Sequence, residues 1–121
     1  MDKDPISPKA HGAIDYGFLG LMLAAPSLLG LTGPARTLCY LFGGAQGIPN
    51  ALTDQPYAVE RLVPFRTHGT IELASGLLFV ALPVLTGAVK DPKARNYFLA
   101  AGAMLAAVYI LTDWDATDTN A

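Results

Sequence analysis

His11-Gly12-Ala13-Ile14-Asp15 returns 57 residues later as His68-Gly69-Thr70-Ile71-Glu72. Pro26 and Gly30 return at the same offset as Pro83 and Gly87. The offset then lengthens to 59, so that Arg36 returns as Arg95, Gly43 as Gly102, and Leu52-Thr53-Asp54 as Leu111-Thr112-Asp113. Between the quoted motifs lie long stretches with no Asp, Glu, Lys, Arg or His. They run from Asp15 to Arg36, Arg36 to Asp54, Glu72 to Lys90, and Arg95 to Asp113, and hold 20, 17, 17 and 17 residues. A membrane-crossing helix needs about 20 mostly apolar residues, with a range of about 17–25. A water-soluble bundle would show charges at helical spacing on its outer faces, and none of these stretches has any. The chain therefore reads as all-α: a four-helix transmembrane bundle made of two helical hairpins.

The hairpins take approximate bounds from the charges and turn residues. Span one runs from Lys9 to Leu31 and span two from Ala35 to Thr53, with a Thr32-Gly33-Pro34 turn between them. Span three runs from Phe65 to Val89 and span four from Ala94 to Thr112, joined by Lys90-Asp91-Pro92-Lys93. The expected domain is a single integral membrane unit over residues 1–121, with repeat 1 at about 9–54 and repeat 2 at about 66–113. Each hairpin brings the chain back to its starting side. The repeats thus share one orientation, as in parallel-repeat membrane proteins, and both termini lie on one side. Lys and Arg divide four against four between the two sides, which leaves the orientation open. The second span is the weakest, because it contains Gln46, Pro49 and Asn50. The first span ends in no good signal-cleavage site, since Leu23-Ala24-Ala25 is followed by Pro26, and is read as a retained helix. The linker Asp54–Pro64 is long enough for a short surface helix, and the acidic tail from Asp113 is expected to fray.

Packing inside lipid relies on small residues that let backbones approach. Gly43 and Gly47 in span two form such a pair, repeated by Gly102 and Ala106 in span four. Pro26 and Pro83 are expected to kink the odd spans, and Pro49 adds a third proline in span two. Tyr16, Tyr57, Tyr109 and Trp114 at one end, with Tyr40 and Tyr97 at the other, are candidate interface anchors. Cys39 is the single cysteine, so no intrachain disulfide forms, and it reads as an apolar packing residue.

The hairpin with His-Gly-x-Ile-Asp at its entry, a Pro before a Gly, and Leu-Thr-Asp at its exit resembles the SPW-repeat family of small prokaryotic integral membrane proteins. The resemblance extends from about Pro8 to Asp113. At the namesake position this chain has Ala25-Pro26-Ser27 and Leu82-Pro83-Val84. The resemblance implies two transmembrane hairpins in a prokaryotic inner membrane, and it implies no activity.

One constellation has chemistry to offer. His11 and Asp15 share a helix face, as do His68 and Glu72. Hairpin geometry brings Asp54 and Asp113 to the same level, giving a polar cluster of His11, Asp15, Asp54, His68, Glu72 and Asp113 at one end of the bundle. Ionisable groups at this depth are costly unless paired. The favoured reading is a structural or accessory membrane protein, not an enzyme, whose His–carboxylate pairs close the bundle, with His11 and His68 bonded to Asp54 and Asp113. One alternative is a Zn, Mn or Fe site in which His11, Asp15, His68 and Glu72 are ligands. Another is haem with His11 and His68 as axial ligands. A third is proton or ion handling by Asp15 and Glu72, with Gln46 and Asn50 along the path. No cofactor is required by the favoured reading. The expected partner is the lipid bilayer, with a homo-oligomer or larger membrane complex allowed. No basic patch, phosphate loop, nucleophile elbow or Cys-x-x-Cys points to nucleic acid or to another enzyme class.

Overall fold

The computed structural model describes residues 4–121 and is all-helical, with four long helices in up-down order. They are α1 (Pro8–Leu29), α2 (Gly33–Ala51), α3 (Phe65–Leu85) and α4 (Pro92–Leu111), with a 3₁₀ turn at Ala88–Lys90. Among the described residues there is no strand, and only two isolated bridges, Ile6 with Thr112 and Thr53 with Val63. Local chemistry sets the helix ends. Ser7 caps α1 by accepting from the Ala10 N–H, with Pro8 in the first turn. Asp91 caps α4 in the same way through the Lys93 N–H. Gly30 (φ 66°) and Gly87 (φ 78°) take the left-handed backbone that reverses the chain after α1 and α3. The turn at Gly87 stops α3 at Leu85, four residues short of the sequence expectation.

The three prolines are not in mid-span. Pro26, Pro49 and Pro83 each lie in the last turn of their helix, where little helix remains beyond them. The core between the helices contains Phe18 and Met22 of α1, Leu38, Cys39 and Phe42 of α2, Phe79 of α3, and Phe98 and Leu105 of α4. Phe42, Phe79 and Phe98 meet edge to face, at centroid separations of 4.8 and 5.3 Å, and tie α2, α3 and α4 together. Tyr97, expected at the interface, turns inward to donate to Met22 Sδ at 3.2 Å.

Outward faces are apolar. Leu28, Leu41, Ile48, Leu77, Val80, Leu99 and Ile110 are each more than 60% exposed, a surface water does not favour. Helices α1, α3 and α4 are long and apolar enough to cross a membrane. Helix α2 is not among them, as its composition foretold; its polar Gln46 and Asn50 are nevertheless buried, whereas Leu41 and Ile48 face out.

Two segments depart from expectation. The 54–64 linker forms no helix; its N–H groups fold back on the open end of α2, with Val59 and Glu60 donating to the Ala51 carbonyl and Leu62 and Val63 to that of Leu52. The tail is not frayed. Asp113 N–H donates to the Ile6 carbonyl and Ile6 N–H to the Leu111 carbonyl, Lys9 N–H donates to the Ala121 carbonyl, Arg61 reaches Asn120, and Arg66 pairs with Asp115.

Candidate metal centre

The entry motifs of α1 and α3 meet the exit motifs of α2 and α4 at one end of the bundle. His11 and Asp15 come from the first two turns of α1, and His68 and Glu72 from those of α3. All four are buried, with exposures of 0, 0, 3 and 7%.

Each imidazole is anchored from the other hairpin. His11 Nδ1 lies 2.8 Å from Thr112 Oγ1, and His68 Nδ1 lies 2.7 Å from Thr53 Oγ1. The threonine hydroxyls spend their single proton elsewhere: Thr112 donates to the Val108 carbonyl at 2.5 Å, and Thr53 to the Pro49 carbonyl at 2.6 Å. Each hydroxyl must then accept, so each Nδ1 carries hydrogen and donates. That leaves both Nε2 atoms facing the carboxylates.

The pairing crosses between hairpins. His11 Nε2 is 2.8 Å from Glu72 Oε2, and His68 Nε2 is 2.9 Å from Asp15 Oδ2. Within each helix the separations are 3.2 Å for His11–Asp15 and 3.6 Å for His68–Glu72. One ligand atom from each residue can be chosen so that all four lie within 4.8 Å of one another. Only the His68–Asp15 contact has hydrogen-bond alignment. His11 Nε2, Asp15 Oδ1 and both Glu72 oxygens are buried without a hydrogen-bond partner.

Above this quartet sit two side chains that the sequence reading did not place at the cluster. Gln55 donates to the Asn50 carbonyl at 2.9 Å, and Trp114 donates to the Tyr109 carbonyl at 3.0 Å. Gln55 lies against Gly12, and a Cβ at Gly69 would come within 2.8 Å of the Trp114 ring. The two motif glycines therefore admit these side chains. Trp114 packs on His11 at 4.8 Å and on Phe65 at 5.0 Å. It covers the cluster. Asn50 also reaches in, donating to the Gly12 carbonyl at 2.9 Å.

Asp54 and Asp113 do not join the cluster. Asp54 pairs with Arg61 at the surface at 2.9 Å, and Asp113 accepts from the Asp115 N–H at 3.2 Å. The expected His–Asp54 and His–Asp113 bonds are not made; the preceding threonines take those places. Gly43 and Gly47 sit against Met22 and Leu19 of α1, as close packing requires. Gly102 and Ala106 instead line a groove between α3 and α4.

The quartet can hold a metal ion. Imidazole nitrogen and carboxylate oxygen bind Zn at about 2.0–2.2 Å, so neighbouring ligand atoms around a tetrahedral ion stand about 3.3–3.6 Å apart. The four His–carboxylate separations, 2.8 to 3.6 Å, run from slightly below that range to its upper end, and the four-atom set spans up to 4.8 Å, so an ion would draw its far corners inward. Haem does not suit the same atoms. The carboxylates crowd the space between the two imidazoles that a macrocycle would have to enter. Comparison with protein-family models, with curated proteins and with solved structures finds no match for this chain.

Proposed function

We propose that this protein is a four-span membrane protein that holds one divalent transition-metal ion, Zn, Mn or Fe, between His11, Asp15, His68 and Glu72. The observation that carries the reading is the pair of threonine relays. Each fixes one imidazole with Nδ1–H turned outward and Nε2 turned toward two buried carboxylates. Metal-ligating histidines are usually held this way, by a hydrogen bond to the nitrogen that does not bind metal. Charge supports the same reading. With both imidazoles neutral the quartet carries two negative charges, which one divalent ion balances in a region where unpaired charge is costly. His11 Nε2 and Glu72 Oε2, 2.8 Å apart and both without a hydrogen-bond partner, gain one in that ion.

The reading places all four helices in a bilayer, prokaryotic inner membrane included, with α2 turning its polar side to the cluster. The two hairpins are then related by a pseudo-two-fold axis along the membrane normal, in keeping with the SPW-repeat resemblance. The crossed His–Thr and His–carboxylate pairs support that symmetry, because each hairpin makes the same bonds to the other.

A second reading has its own support. Two imidazolium–carboxylate pairs at 2.8 and 2.9 Å would be neutral together and would close the bundle without a metal. Elemental analysis of detergent-purified protein separates the two. The metal reading expects about one transition-metal ion per chain, or uptake of one by the metal-free protein, held more weakly in His11→Ala and in His68→Ala and lost when both are replaced. Absence of stoichiometric metal before and after loading would leave the closure role alone.

A further inference from the structure

The two hairpins carry the same arginine into different surroundings. Helices α1 and α2 close on each other through Gly43 and Gly47, and Arg36 lies over the Tyr40 ring, 5.5 Å from its centroid. Its repeat equivalent, Arg95, stands where α3 and α4 stay apart. A cavity of about 440 Å³ opens between those helices, with Arg95 at one end and Pro83, Leu99 and Gly102 along its walls. It continues past Phe79 into a smaller cavity of about 250 Å³ that reaches Leu105. Val80, Val84 and Leu99 at its mouth are exposed, so the slot is open sideways. The Arg95 side chain is exposed as well. Its Nε donates to Asn96 Oδ1 at 3.3 Å, and its two terminal nitrogens donate to none of the described residues. Arg36, Lys90, Lys93 and Arg95 gather at this end against one carboxylate, Asp91, which caps α4. Lys90 folds over Gly87, and Lys93 Nζ would stand 3.9 Å from a Cβ at Gly30. Those glycines follow the last turns of α3 and α1, where the helix dipole favours a cation. Arg95 instead occupies the first turn of α4, where the dipole disfavours one. It is an exposed cation that lacks an anionic partner.

An apolar slot with an unpaired guanidinium at its end selects a ligand that is anionic at the head and apolar in the tail. We propose that the α3–α4 slot holds one acyl chain of an anionic phospholipid, whose phosphate accepts from the terminal nitrogens of Arg95. A guanidinium offers two parallel donors to phosphate oxygens, and basic pockets between membrane helices bind anionic headgroups. The depth agrees. From Arg95 to Leu105 the helix rises about 15 Å, the depth of one leaflet in a hydrocarbon core about 30 Å thick. A choline headgroup would bring a further cation among four, with only Asp91 to receive it. A hydrocarbon or a fatty alcohol would leave the guanidinium without an anion. The inference rests on the membrane reading and is independent of the metal, because Arg95 lies at the end of the bundle opposite His11.

The test titrates full-length protein in detergent with phosphatidylglycerol or phosphatidylcholine of the same acyl chains, read by native mass spectrometry. Phosphatidylglycerol is expected to saturate at about one per chain and to bind about tenfold more tightly than phosphatidylcholine. Arg95→Gln, at an exposed position, should weaken that binding about fivefold, whereas Arg36→Gln should leave it within about twofold of wild type. Gly102→Leu, which narrows the slot, should weaken it too while helical content stays unchanged. Equal binding of the two lipids, unchanged affinity in Arg95→Gln or in a folded Gly102→Leu protein, or equal displacement by inorganic phosphate or palmitate would each overturn the proposal. Should Gly102→Leu not fold, Arg95→Gln decides alone. Reconstitution into phosphatidylcholine vesicles separates this result from failure of the membrane reading. Protein that resists alkaline extraction yet shows no lipid preference defeats the lipid site alone, and protein released by alkali defeats both.

Discussion

Thr53 and Thr112 decide what the two imidazoles can do, because a hydroxyl with one proton to give cannot serve a carbonyl and a ring nitrogen as donor at once. Thr53→Val and Thr112→Val keep the side-chain shape and remove that anchor. Each is expected to weaken metal binding by about 10–100-fold, as loss of an outer-shell partner does, in a competition titration against a chelator of known affinity. Asp54→Ala and Asp113→Ala, outside the cluster, should leave that affinity unchanged. Truncating one ligand leaves its partner carboxylate buried and unpaired. In the metal-free protein, His68→Ala and Asp15→Ala should therefore be non-additive, with a coupling of about 1–3 kcal/mol in a double-mutant cycle read by thermal melting. At this scale the sequence was half legible. The repeat singled out His11, Asp15, His68 and Glu72, because repetition at helical spacing puts each pair on one face. It misassigned their partners by one residue. After α4 the backbone becomes extended at Thr112 (ψ 135°), so consecutive side chains alternate sides and Asp113 points away where Thr112 points in. Gln55 and Trp114 hold equivalent places after Leu-Thr-Asp but differ in type, so identity between the repeats does not mark them, and Trp114 alone reads as an interface anchor.

Among the helices, the glycines separate close contact from open space. A Cβ on Gly47 would stand 2.8 Å from Leu19, and one on Gly43 would stand 3.3 Å from Met22, whereas Gly17 has nothing within 4 Å. Gly47→Leu should lower the melting temperature in detergent by the equivalent of about 1–3 kcal/mol of overpacking, with Gly17→Leu near wild type. Gly102→Leu should cost less than Gly47→Leu, because its Cβ would meet only the Phe79 ring, at 3.6 Å. The four helices were legible from the gaps between charges, since span length and charge exclusion are properties of composition. Their ends were less so. The α3 terminus depends on Gly87 adopting positive φ, and the fate of the linker depends on which α2 carbonyls lack partners, both consequences of tertiary placement.

For the molecule as a whole, the chain ends close the site. The C-terminal segment lies across the cluster, held by the Ile6 bridge, by Arg61 and Arg66, and by the Lys9 bond to Ala121. Trp114 is the only tryptophan and rests 4.8 Å from the His11 ring, so its fluorescence reports on the centre. Removing residues 114–121, or replacing Trp114 by Ala, should speed metal extraction by a chelator several-fold without changing stoichiometry. This closure was hidden in the sequence, where the tail reads as an acidic, fraying end; only the folded hairpins bring Gly69 to the place where an indole can lie.

X-ray absorption at the metal edge tests the central claim most directly, on wild-type protein loaded with Zn in detergent. The account predicts a shell of four nitrogen and oxygen ligands at about 2.0–2.2 Å, with outer-shell scattering from two imidazoles that falls by half in His11→Ala or His68→Ala. A spectrum without imidazole scattering, or one unchanged by either substitution, would contradict it.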